Sequence, residues 1–382
     1  MGLESRIPSK VGVVVIGAGF AGASTAAALA RAGVTSGLVL ERELVPGTHA
    51  SGRNAAIARQ VESDPALLKL AVEGVRQLRM KSVGGCPVLS QTGGLYLVHE
   101  DTSRAAKQVD QLRAQCVPAE LLPPADARQL FPFLRGFHFD CAILCPTDGV
   151  IDIHALLSSL LAEARDGGFE IATDCAAESL ILDGCAVRGV QTRLGEIGAP
   201  IVVDASGAWA GHLGRRSSPL PLKPLRRHLF VSGGSGLLPR NAPFVWDLDI
   251  GYYLRAESAG LLICPCDEAE HPPGIPAVDP NVADLLADKL LEYAPALADV
   301  GLRRCWACLR TFAPDRLPII GWDPEISGLF HVSGLGGFGV TTSLAVGELA
   351  SARICDRDVG WINGDSFSAR RLLLSRCLQR RP

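Results

Sequence analysis

The feature that most restricts the fold is a glycine pattern near the start of the chain. Residues 11–16 (VGVVVI) form an uncharged, β-branched run typical of a buried parallel strand, and residues 20–32 form an alanine-rich run that predicts a helix. Between them lies a G-x-G-x-x-G pattern supplied by Gly17, Gly19 and Gly22. In this context the three glycines permit a tight turn, backbone approach to a pyrophosphate and close helix packing. The sequence therefore predicts a dinucleotide-binding βαβ unit.

A carboxylate follows at the expected distance. Glu41 ends a second predicted strand over residues 37–41 and stands 19 positions after Gly22, where it can accept hydrogen bonds from a ribose. Residues 11–30 are uncharged and long enough for a membrane span, but their glycine spacing and the strand that follows favour the βαβ unit. We therefore expect a soluble, cytoplasmic protein with no transmembrane segment. This motif alone does not separate FAD from NAD.

Two further elements favour FAD. Residues 201–209 (IVVDASGAW) predict a strand that runs into a turn of small residues, and residues 334–342 predict a glycine-rich turn before another helix. Such turns face ligands at the carboxyl edge of a parallel sheet. The second helix N-terminus suits the negative charge of a reduced flavin ring. With NAD this last turn would have no role, which makes an NAD-binding module the weaker alternative.

The order of the elements predicts interleaved domains. Alternating strands and helices give way to antiparallel strands and then return, and residues 89–98 read as one hairpin strand around a Gly-Gly pair. The expected fold is α/β (α+β), a Rossmann-like FAD-binding domain of glutathione-reductase type with an inserted, mostly antiparallel substrate domain. The predicted boundaries are 1–82, 144–220 and 321–368 for the FAD-binding domain, 83–143 and 221–320 for the substrate-binding domain, and 369–382 for a basic C-terminal tail.

Composition restricts the kinds of partner and metal that the chain is expected to bind. The 382 residues carry a net charge of −3, so bulk charge predicts neither nucleic-acid nor acidic-membrane binding. The 12 cysteines are scattered along the chain and read as mostly buried free thiols in a reducing compartment. The pairs Cys264/Cys266 and Cys305/Cys308 invite a zinc hypothesis, but the first pair is more closely spaced than structural zinc ligands. We expect no metal.

Taken together, these elements resemble the D-amino acid oxidase family of FAD enzymes, which includes glycine oxidase, monomeric sarcosine oxidase and D-amino acid dehydrogenases. The pattern is most similar to that of D-arginine dehydrogenase. Similar segments extend from residue 13 to residue 343. They read VVVIGAGFAGAS, LERELVPGTHASGRNAA, PTDGVIDIHALL, SGAWA, RRHLFV, GYYLR, WACLRTFAPD and GLGGFGVTTS.

The resemblance implies which residues hold FAD, and we expect the cofactor to be bound without a covalent bond. They are Gly17, Gly19, Phe20, Ala21, Gly22, Glu41, Arg42, His49, Ser51, Gly52, Arg53, Asn54, Ala55, Ala56, Ser206, Gly207, Trp209, Arg310, Gly334, Gly336, Gly337, Phe338, Gly339, Val340 and Thr341.

The resemblance also implies a substrate site between the flavin and the antiparallel domain. Arg310 falls where an arginine binds the substrate carboxylate, and a guanidinium suits that planar anion. Arg227 falls at or beside a second such position, with Arg226 as its competitor. Tyr253 falls where a tyrosine hydroxyl helps to hold the carboxylate. Gly337 would bring a backbone carbonyl near the substrate amine.

Some positions depart from the family pattern. A histidine and a tyrosine of the D-arginine enzyme correspond here to Ile57 and Glu62, and a glutamine corresponds to Thr341. Glu62 is either a recognition group for a cationic side chain or an exposed lid residue. Cys308 stands where monomeric sarcosine oxidase carries the cysteine that bonds the flavin, although a plain buried thiol is the favoured interpretation.

The implied activity is FAD-dependent oxidation of an amino acid, a D-amino acid in the first instance. A hydride would pass from Cα to flavin N5, and the imine would hydrolyse to a keto acid and ammonia. The alternatives are a sarcosine- or glycine-type amine oxidase, a 2-hydroxy-acid dehydrogenase, and a flavin-binding subunit without turnover. The expected partners are a small amino acid or amine and an electron acceptor, either oxygen or a quinone.

Overall fold

The computed structural model describes residues 7–213, 220–234, 236, 238–258 and 260–372. Six described strands form a mostly parallel sheet. In spatial order they are Phe169–Ala172, Gly37–Leu40, Val13–Ile16, Ile201–Asp204, Leu329–Ser333 and Ile319–Trp322. The first five are parallel, and the last is antiparallel to its neighbour.

The strand Val13–Ile16 lies inside this sheet, between Gly37–Leu40 and Ile201–Asp204. The chain therefore builds the sheet outward from Val13–Ile16 in both directions, and a crevice opens at the carboxyl ends of the strands. Ile201–Asp204 and Leu329–Ser333 are contributed by the middle and late parts of the chain. The predicted return of the chain to the first sheet is confirmed.

Four helices pack with this sheet around one hydrophobic core. They are Phe20–Arg31, Pro65–Met80, Ile153–Asp166 and Ser343–Ile354. The helix Pro65–Met80 begins with a proline, and Asp64 before it accepts hydrogen bonds from the amides of Ala66 and Leu67 at 2.9 and 3.0 Å. This cap satisfies amides that a helix leaves unpaired at its start.

Nine described strands form a second, mostly antiparallel sheet. Eight of them follow one another as Ala269–Glu270, Lys223–Ser232, Gly260–Cys264, Tyr252–Glu257, Phe244–Asp247, Gly94–Val98, Cys141–Cys145 and Glu120–Leu122. The ninth, Leu302–Phe312, pairs with Lys223–Ser232. Phe244–Asp247 and Gly94–Val98 are the parallel neighbours.

The register of the two longest strands places polar side chains in one row. Arg227 lies opposite Cys308, and Leu225 lies opposite Arg310. Because alternate residues of a strand share a face, Arg227, Cys308 and Arg310 project from the same side of the sheet. In the neighbouring strands Tyr253 lies opposite both Trp246 and Cys264.

The remaining described elements are small sheets and shorter or peripheral helices. The small sheets comprise Ile57–Ala58, Gly149–Ile151 and Leu89–Ser90; Ala177–Asp183, Ala186–Thr192 and Gly195–Gly198; and Ser82–Val83 with Cys86–Pro87. The helices are Thr102–Ala114, Pro124–Leu130 and Asn281–Tyr293, and the 3₁₀ turns are Pro132–Leu134, Gly207–Trp209, Pro295–Leu297 and Gly364–Phe367.

One predicted strand is wrong. Residues 89–98 do not form a continuous strand, because Leu89–Ser90 joins a three-stranded sheet and Gly94–Val98 joins the antiparallel sheet. Gly93 between them has a φ of +87°, a conformation in which the chain turns out of one sheet. The alternation continues on both sides of the glycines, so the sequence pattern does not show where the chain leaves one sheet for the other.

The end of the described chain packs against the protein. In the predicted basic tail, Ala369 and Leu372 are buried, and Arg371 Nε donates to Asp315 at 2.6 Å. Residues 373–382 lie outside the described residues. Within the described ranges, no helix has the length and apolar character needed to cross a membrane.

Candidate active site

One cavity of about 440 Å³ lies between the carboxyl ends of the parallel strands and the antiparallel sheet. The residues that follow four parallel strands line it, namely Gly17, Glu41, Ala205 and Gly334. This is the crevice where open α/β sheets bind ligands. The cavity therefore joins the predicted cofactor segments to the predicted substrate residues.

The first glycine turn brings a helix N-terminus to the cavity. Gly17 has a φ of +100°, and a Cβ there would lie 2.6 Å from the Ala205 oxygen. A Cβ on Gly22 would lie 1.8 Å from the Gly17 oxygen, so the turn and helix meet only because this residue is glycine. The helix begins at Phe20, whose amide donates to Ser51 Oγ at 3.0 Å. Such a helix end favours an anionic group such as a pyrophosphate.

Glu41 lines the cavity beside this turn. Its Oε2 accepts a hydrogen bond from the Ala18 amide, and its Oε1 accepts one from the Glu43 amide, both at 2.9 Å. The carboxylate is buried and held in one orientation. Each oxygen retains lone-pair capacity for a ribose hydroxyl.

An aromatic wall stands next to Glu41. The Arg42 guanidinium lies 4.3 Å from the centre of the Trp209 ring, and His49 contacts the same ring edge-on at 4.8 Å. His49 Nε2 lies 2.9 Å from Glu43 Oε1, whereas its buried Nδ1 has no partner among the described residues. The side chains of Arg42, His49 and Trp209 all line the cavity.

The loop of residues 47–56 crosses the cavity and is tied to the antiparallel sheet. Trp306 Nε1 donates to the Arg53 oxygen at 3.0 Å, and Arg255 Nε donates to the Ala55 oxygen at 2.6 Å. Asn54 Oδ1 accepts from the Ala56 amide at 2.7 Å, which supports the left-handed conformation of Ala56 at φ +60°. Two strands of the antiparallel sheet thus hold the loop in place.

The second glycine turn, residues 334–339, closes the cavity from the parallel sheet. Gly336 has a φ of +53°, and a Cβ there would lie 2.4 Å from the Phe312 ring. Gly337 differs, because a Cβ would meet no described atom within 4 Å. Gly337 lines the cavity, so its open side is available to a ligand. The helix Ser343–Ile354 follows this turn.

The residues present fit a dinucleotide cofactor. Two buried polar atoms on the cavity wall, His49 Nδ1 and Ser333 Oγ, have no hydrogen-bond partner among the described residues. Buried polar atoms normally have partners. A bound cofactor would supply them, and the two glycine turns leave its phosphates and ring access to the backbone.

Most of the predicted cofactor residues meet at this cavity. Gly22, Gly52, Phe338 and Thr341 do not line it. Gly22 packs against the glycine turn, while Thr341 Oγ1 donates to the Ile57 oxygen at 3.1 Å. Gly22 and Thr341 therefore stabilise the wall of the cavity without lining it. Their direct contact with the cofactor stays a prediction.

Arg310 lies at the other end of the cavity. Its Nη1 donates to Cys308 Sγ at 2.9 Å and to the Leu309 oxygen at 3.1 Å. Within the described part of the chain, no carboxylate lies within 4 Å of this buried guanidinium, and no hydrogen bond uses its Nε or Nη2. An arginine presents Nε and Nη2 side by side to a planar anion. Arg310 is therefore a cation with one open bidentate edge.

The two candidates for the second arginine position are distinguished by their surroundings. Arg227 lines the cavity, and its Nη2 donates to Glu268 Oε1 at 2.7 Å. Arg226 does not line it and instead pairs with Asp279 at 2.6 Å. Arg227 is thus the arginine on the cavity side, but its charge is already compensated.

Tyr253 and Cys308 lie beside Arg310. Tyr253 is buried, lines the cavity and stacks on Trp246 with ring centres 4.4 Å apart. Cys308 also lines the cavity, and burial raises the pKa of its thiol above the ordinary value. The neutral thiol is favoured as a result, which reduces its nucleophilic character.

A functional candidate missed in the sequence is Arg59. It lines the cavity, with its guanidinium carbon 3.6 Å from the centre of the Phe338 ring and 4.5 Å from that of Trp246. Glu62, by contrast, does not line the cavity, and its Oε1 accepts from the amides of Ser63 and Asp64. The only sequence signal for Arg59 is its proximity to the HASGR segment.

Among the described residues, no cluster of three or more His, Cys, Asp or Glu side chains has an arrangement that could hold a metal ion. The described cysteines are free thiols, a set comprising Cys86, Cys116, Cys141, Cys145, Cys175, Cys185, Cys264, Cys266, Cys305, Cys308 and Cys355.

Comparison with known proteins identifies the family. A family model described as "FAD dependent oxidoreductase" (DAO) matches residues 12–353. The chain belongs to this DAO family, and its cofactor is FAD. The nearer resemblance to D-arginine dehydrogenase stays a prediction.

Individual relatives are distant. Mitochondrial sarcosine dehydrogenase of Mus musculus is 26% identical over 367 residues, which cover 91% of this chain but 40% of that protein. Among solved structures, L-proline dehydrogenase from P. horikoshii has a TM-score of 0.85 and 22% identity, covering 97% of this chain and 99% of its own. Glycine oxidase from Geobacillus kaustophilus has a TM-score of 0.78 and 22% identity, covering 94% and 98%. The mixed α/β fold is confirmed by these structures.

Proposed function

We propose that this chain oxidises a carboxylate-bearing amine at the carbon next to nitrogen. The observation that carries the proposal is Arg310, a buried cation on the cavity wall whose Nε–Nη2 edge has no described partner. A substrate carboxylate would complete this edge with two parallel hydrogen bonds. The Tyr253 hydroxyl, on the same wall, would add a third contact.

The same residues would orient the reacting carbon. With the carboxylate fixed at Arg310, the amine would reach the backbone carbonyl of Gly337, which would accept one N–H. Holding both ends of an amino acid sets the direction of its C–H bond. Bound FAD supplies the acceptor for the hydride.

The cavity also favours the neutral amine that this reaction needs. Arg59, Arg227 and Arg310 line it, and nearby positive charges disfavour an ammonium group. The substrate would therefore lose its ammonium proton on binding, without a side-chain base. Burial keeps Cys308 in its neutral form and raises the pKa of Tyr253.

Two substrate forms are retained. The sequence resemblance favours a D-amino acid, whose imine would hydrolyse to a keto acid and ammonia. The similarity to sarcosine dehydrogenase favours an N-alkyl amino acid instead. Both place a carboxylate at Arg310 and a nitrogen near Gly337, so the same site serves either.

An anaerobic flavin-reduction panel tests the proposal. The purified holoenzyme would be mixed with D-, L- and N-methyl amino acids and with 2-hydroxy acids, while the flavin band near ~450 nm is followed. Bleaching by one class of amine supports the proposal and selects the substrate form. Bleaching by hydroxy acids alone, or by no compound, would contradict it. Readmission of oxygen or a quinone then identifies the electron acceptor.

A further inference from the structure

The arginines around the cavity fall into two kinds. Arg42 has Glu43 at 3.6 Å, and Arg227 has Glu268 at 2.7 Å. Arg53, Arg59 and Arg310 line the cavity and have no carboxylate within 4 Å in the described part of the chain. An enclosed charge without a counter-charge is costly. Arg53 belongs to the loop that is expected to hold FAD, and FAD carries negative phosphates of its own. Arg59 and Arg310 lie at the substrate end, and two uncompensated cations there indicate a substrate that brings two negative charges.

Arg59 presents the same open edge as Arg310. Its Nη1 donates to the Val61 oxygen at 3.1 Å, and no described residue accepts from Nε or Nη2. The Nε atom is fully buried without a partner. The free edge is therefore Nε with Nη2, which matches the two oxygens of a carboxylate.

The acidic groups nearest to Arg59 are already engaged. Glu62 Oε1 accepts from two backbone amides. Asp148 accepts from Gln60 at 2.8 Å and from the Tyr96 hydroxyl. Neither acid lines the cavity, so their attraction for Arg59 acts at longer range and leaves its open edge unfilled.

Aromatic rings hold Arg59 in place. Its guanidinium stacks on Phe338 and Trp246, and Trp246 in turn stacks on Tyr253. Tyr253 belongs to the proposed carboxylate end. Cation–π contacts orient the flat guanidinium but provide no counter-charge. Arg59 is thus positioned at the substrate end and still lacks an anion.

We propose that Arg59 binds a second carboxylate of the substrate, so that the chain acts on dicarboxylic amino acids or N-carboxyalkyl amino acids. This inference rests on the proposed function, in which Arg310 holds the first carboxylate. The nitrogen and the reacting carbon lie between the two anions. A substrate with a cationic side chain is therefore disfavoured. This is the opposite of the preference expected if Glu62 were the recognition group.

The test compares matched pairs of amines on the FAD-loaded enzyme. Each monocarboxylate is paired with a dicarboxylate of similar length, such as D-2-aminobutyrate with D-aspartate, D-norvaline with D-glutamate, and N-ethylglycine with iminodiacetate. We expect the dicarboxylate of the preferred pair to reduce the flavin with at least tenfold higher kcat/KM. The variant Arg59→Met should lower kcat/KM for the dicarboxylate at least tenfold more than for its monocarboxylate partner, and Arg59→Lys should restore part of this difference.

A binding measurement keeps the inference testable if a variant or a substrate fails. Glutarate and butyrate would be titrated into the wild-type holoenzyme, with the flavin spectrum and Trp fluorescence as readouts. Tighter binding of glutarate that is lost in Arg59→Met supports the site even if no amine reduces the flavin, in which case the proposed function alone fails. Equal use of both members of every pair, or an equal effect of Arg59→Met on both, would overturn the inference while the proposed function stands. A variant that changes only the flavin spectrum would also overturn it.

Discussion

The two ends of the cavity are built in different ways. At the cofactor end, glycine turns and helix N-termini present backbone atoms, and Gly17 and Gly22 allow no larger residue without a clash. At the substrate end, side chains such as Arg310 and Arg59 project from separate strands and loops. The first end is a property of the fold, whereas the second is a property of a few side chains.

This difference separates binding of FAD from choice of substrate. A glycine turn loses its shape only when the backbone is distorted. A substitution there should therefore lower stability and flavin content together. A side chain of the substrate end can be exchanged while its strand stays paired. The following substitutions break or sharpen that contrast.

The largest effect is expected for Gly22→Ala. The new Cβ would lie 1.8 Å from the Gly17 oxygen, so the first turn and its helix must separate. Overpacking of this kind costs about 3 kcal/mol or more. We expect a clear loss of thermal stability and protein purified largely without flavin, measured by differential scanning fluorimetry and the absorbance ratio of flavin to protein. Gly301→Ala is the matched control, because its Cβ meets no described atom within 4 Å. A flavin-loaded, fully stable Gly22→Ala would contradict the account.

The adjacent glycines of the second turn should differ. Gly336→Ala forces a Cβ to within 2.4 Å of Phe312 at a φ of +53°, and we expect a loss of about 1–3 kcal/mol in stability. Gly337→Ala has open space and should keep its stability while raising KM or weakening flavin binding. Denaturant unfolding with parallel kinetics checks both. Equal stability losses in the two variants would show that the open side of Gly337 is not a ligand surface.

A smaller effect is expected from Asp148, a buried carboxyl group that lies behind the substrate end of the cavity. Burial raises the pKa of Asp148 to about 6, against hydrogen bonds from Tyr96 and Gln60 that lower it. The folded state then binds the proton more tightly than the unfolded state, so this stabilisation is present below about pH 4 and is lost as the pH rises to about 6. Relative to Asp148→Asn, the wild type should lose about 2 kcal/mol of unfolding free energy between pH 4 and pH 7. A pH-independent difference between the two proteins would contradict this pKa.

The smallest effect concerns Cys308. Burial raises the pKa of its thiol, which disfavours bond formation with the flavin. We expect acid precipitation to release the flavin from both the wild type and Cys308→Ala, with the same amount in each supernatant. Flavin that stays with the wild-type precipitate and is released from Cys308→Ala would establish the covalent alternative.

The same contrast explains what the sequence could predict. The cofactor end depends on local patterns, namely glycines between a strand and a helix, so residues 17–22 and 334–339 were recognisable from spacing alone. Arg310 can be identified from the sequence only through the family resemblance. Arg59 has no sequence signal beyond its proximity to the HASGR segment, since its position depends on Trp246 and Phe338, which lie far away in the chain.

A strand whose bounds are not evident from the sequence also belongs to the substrate end. The long strand Leu302–Phe312 carries three arginines and a tryptophan among its apolar residues, so its alternation is weak as a pattern. It becomes a strand because it pairs along Lys223–Ser232. Long-range pairing of this kind is not written in local periodicity.

The most direct test of the account is Arg310→Met, with flavin content and KM measured on the same preparation. Arg226→Met is the matched control, because Arg226 pairs with Asp279 and does not line the cavity. Although the family resemblance also places Arg310 among the residues that hold FAD, the glycine turns should retain the cofactor without it. We expect normal flavin content in both variants, and a KM that rises about 100-fold, equivalent to ~3 kcal/mol, in Arg310→Met alone. An unchanged KM would remove Arg310 from the carboxylate role. Loss of flavin together with activity would show that the two ends of the cavity are not separable.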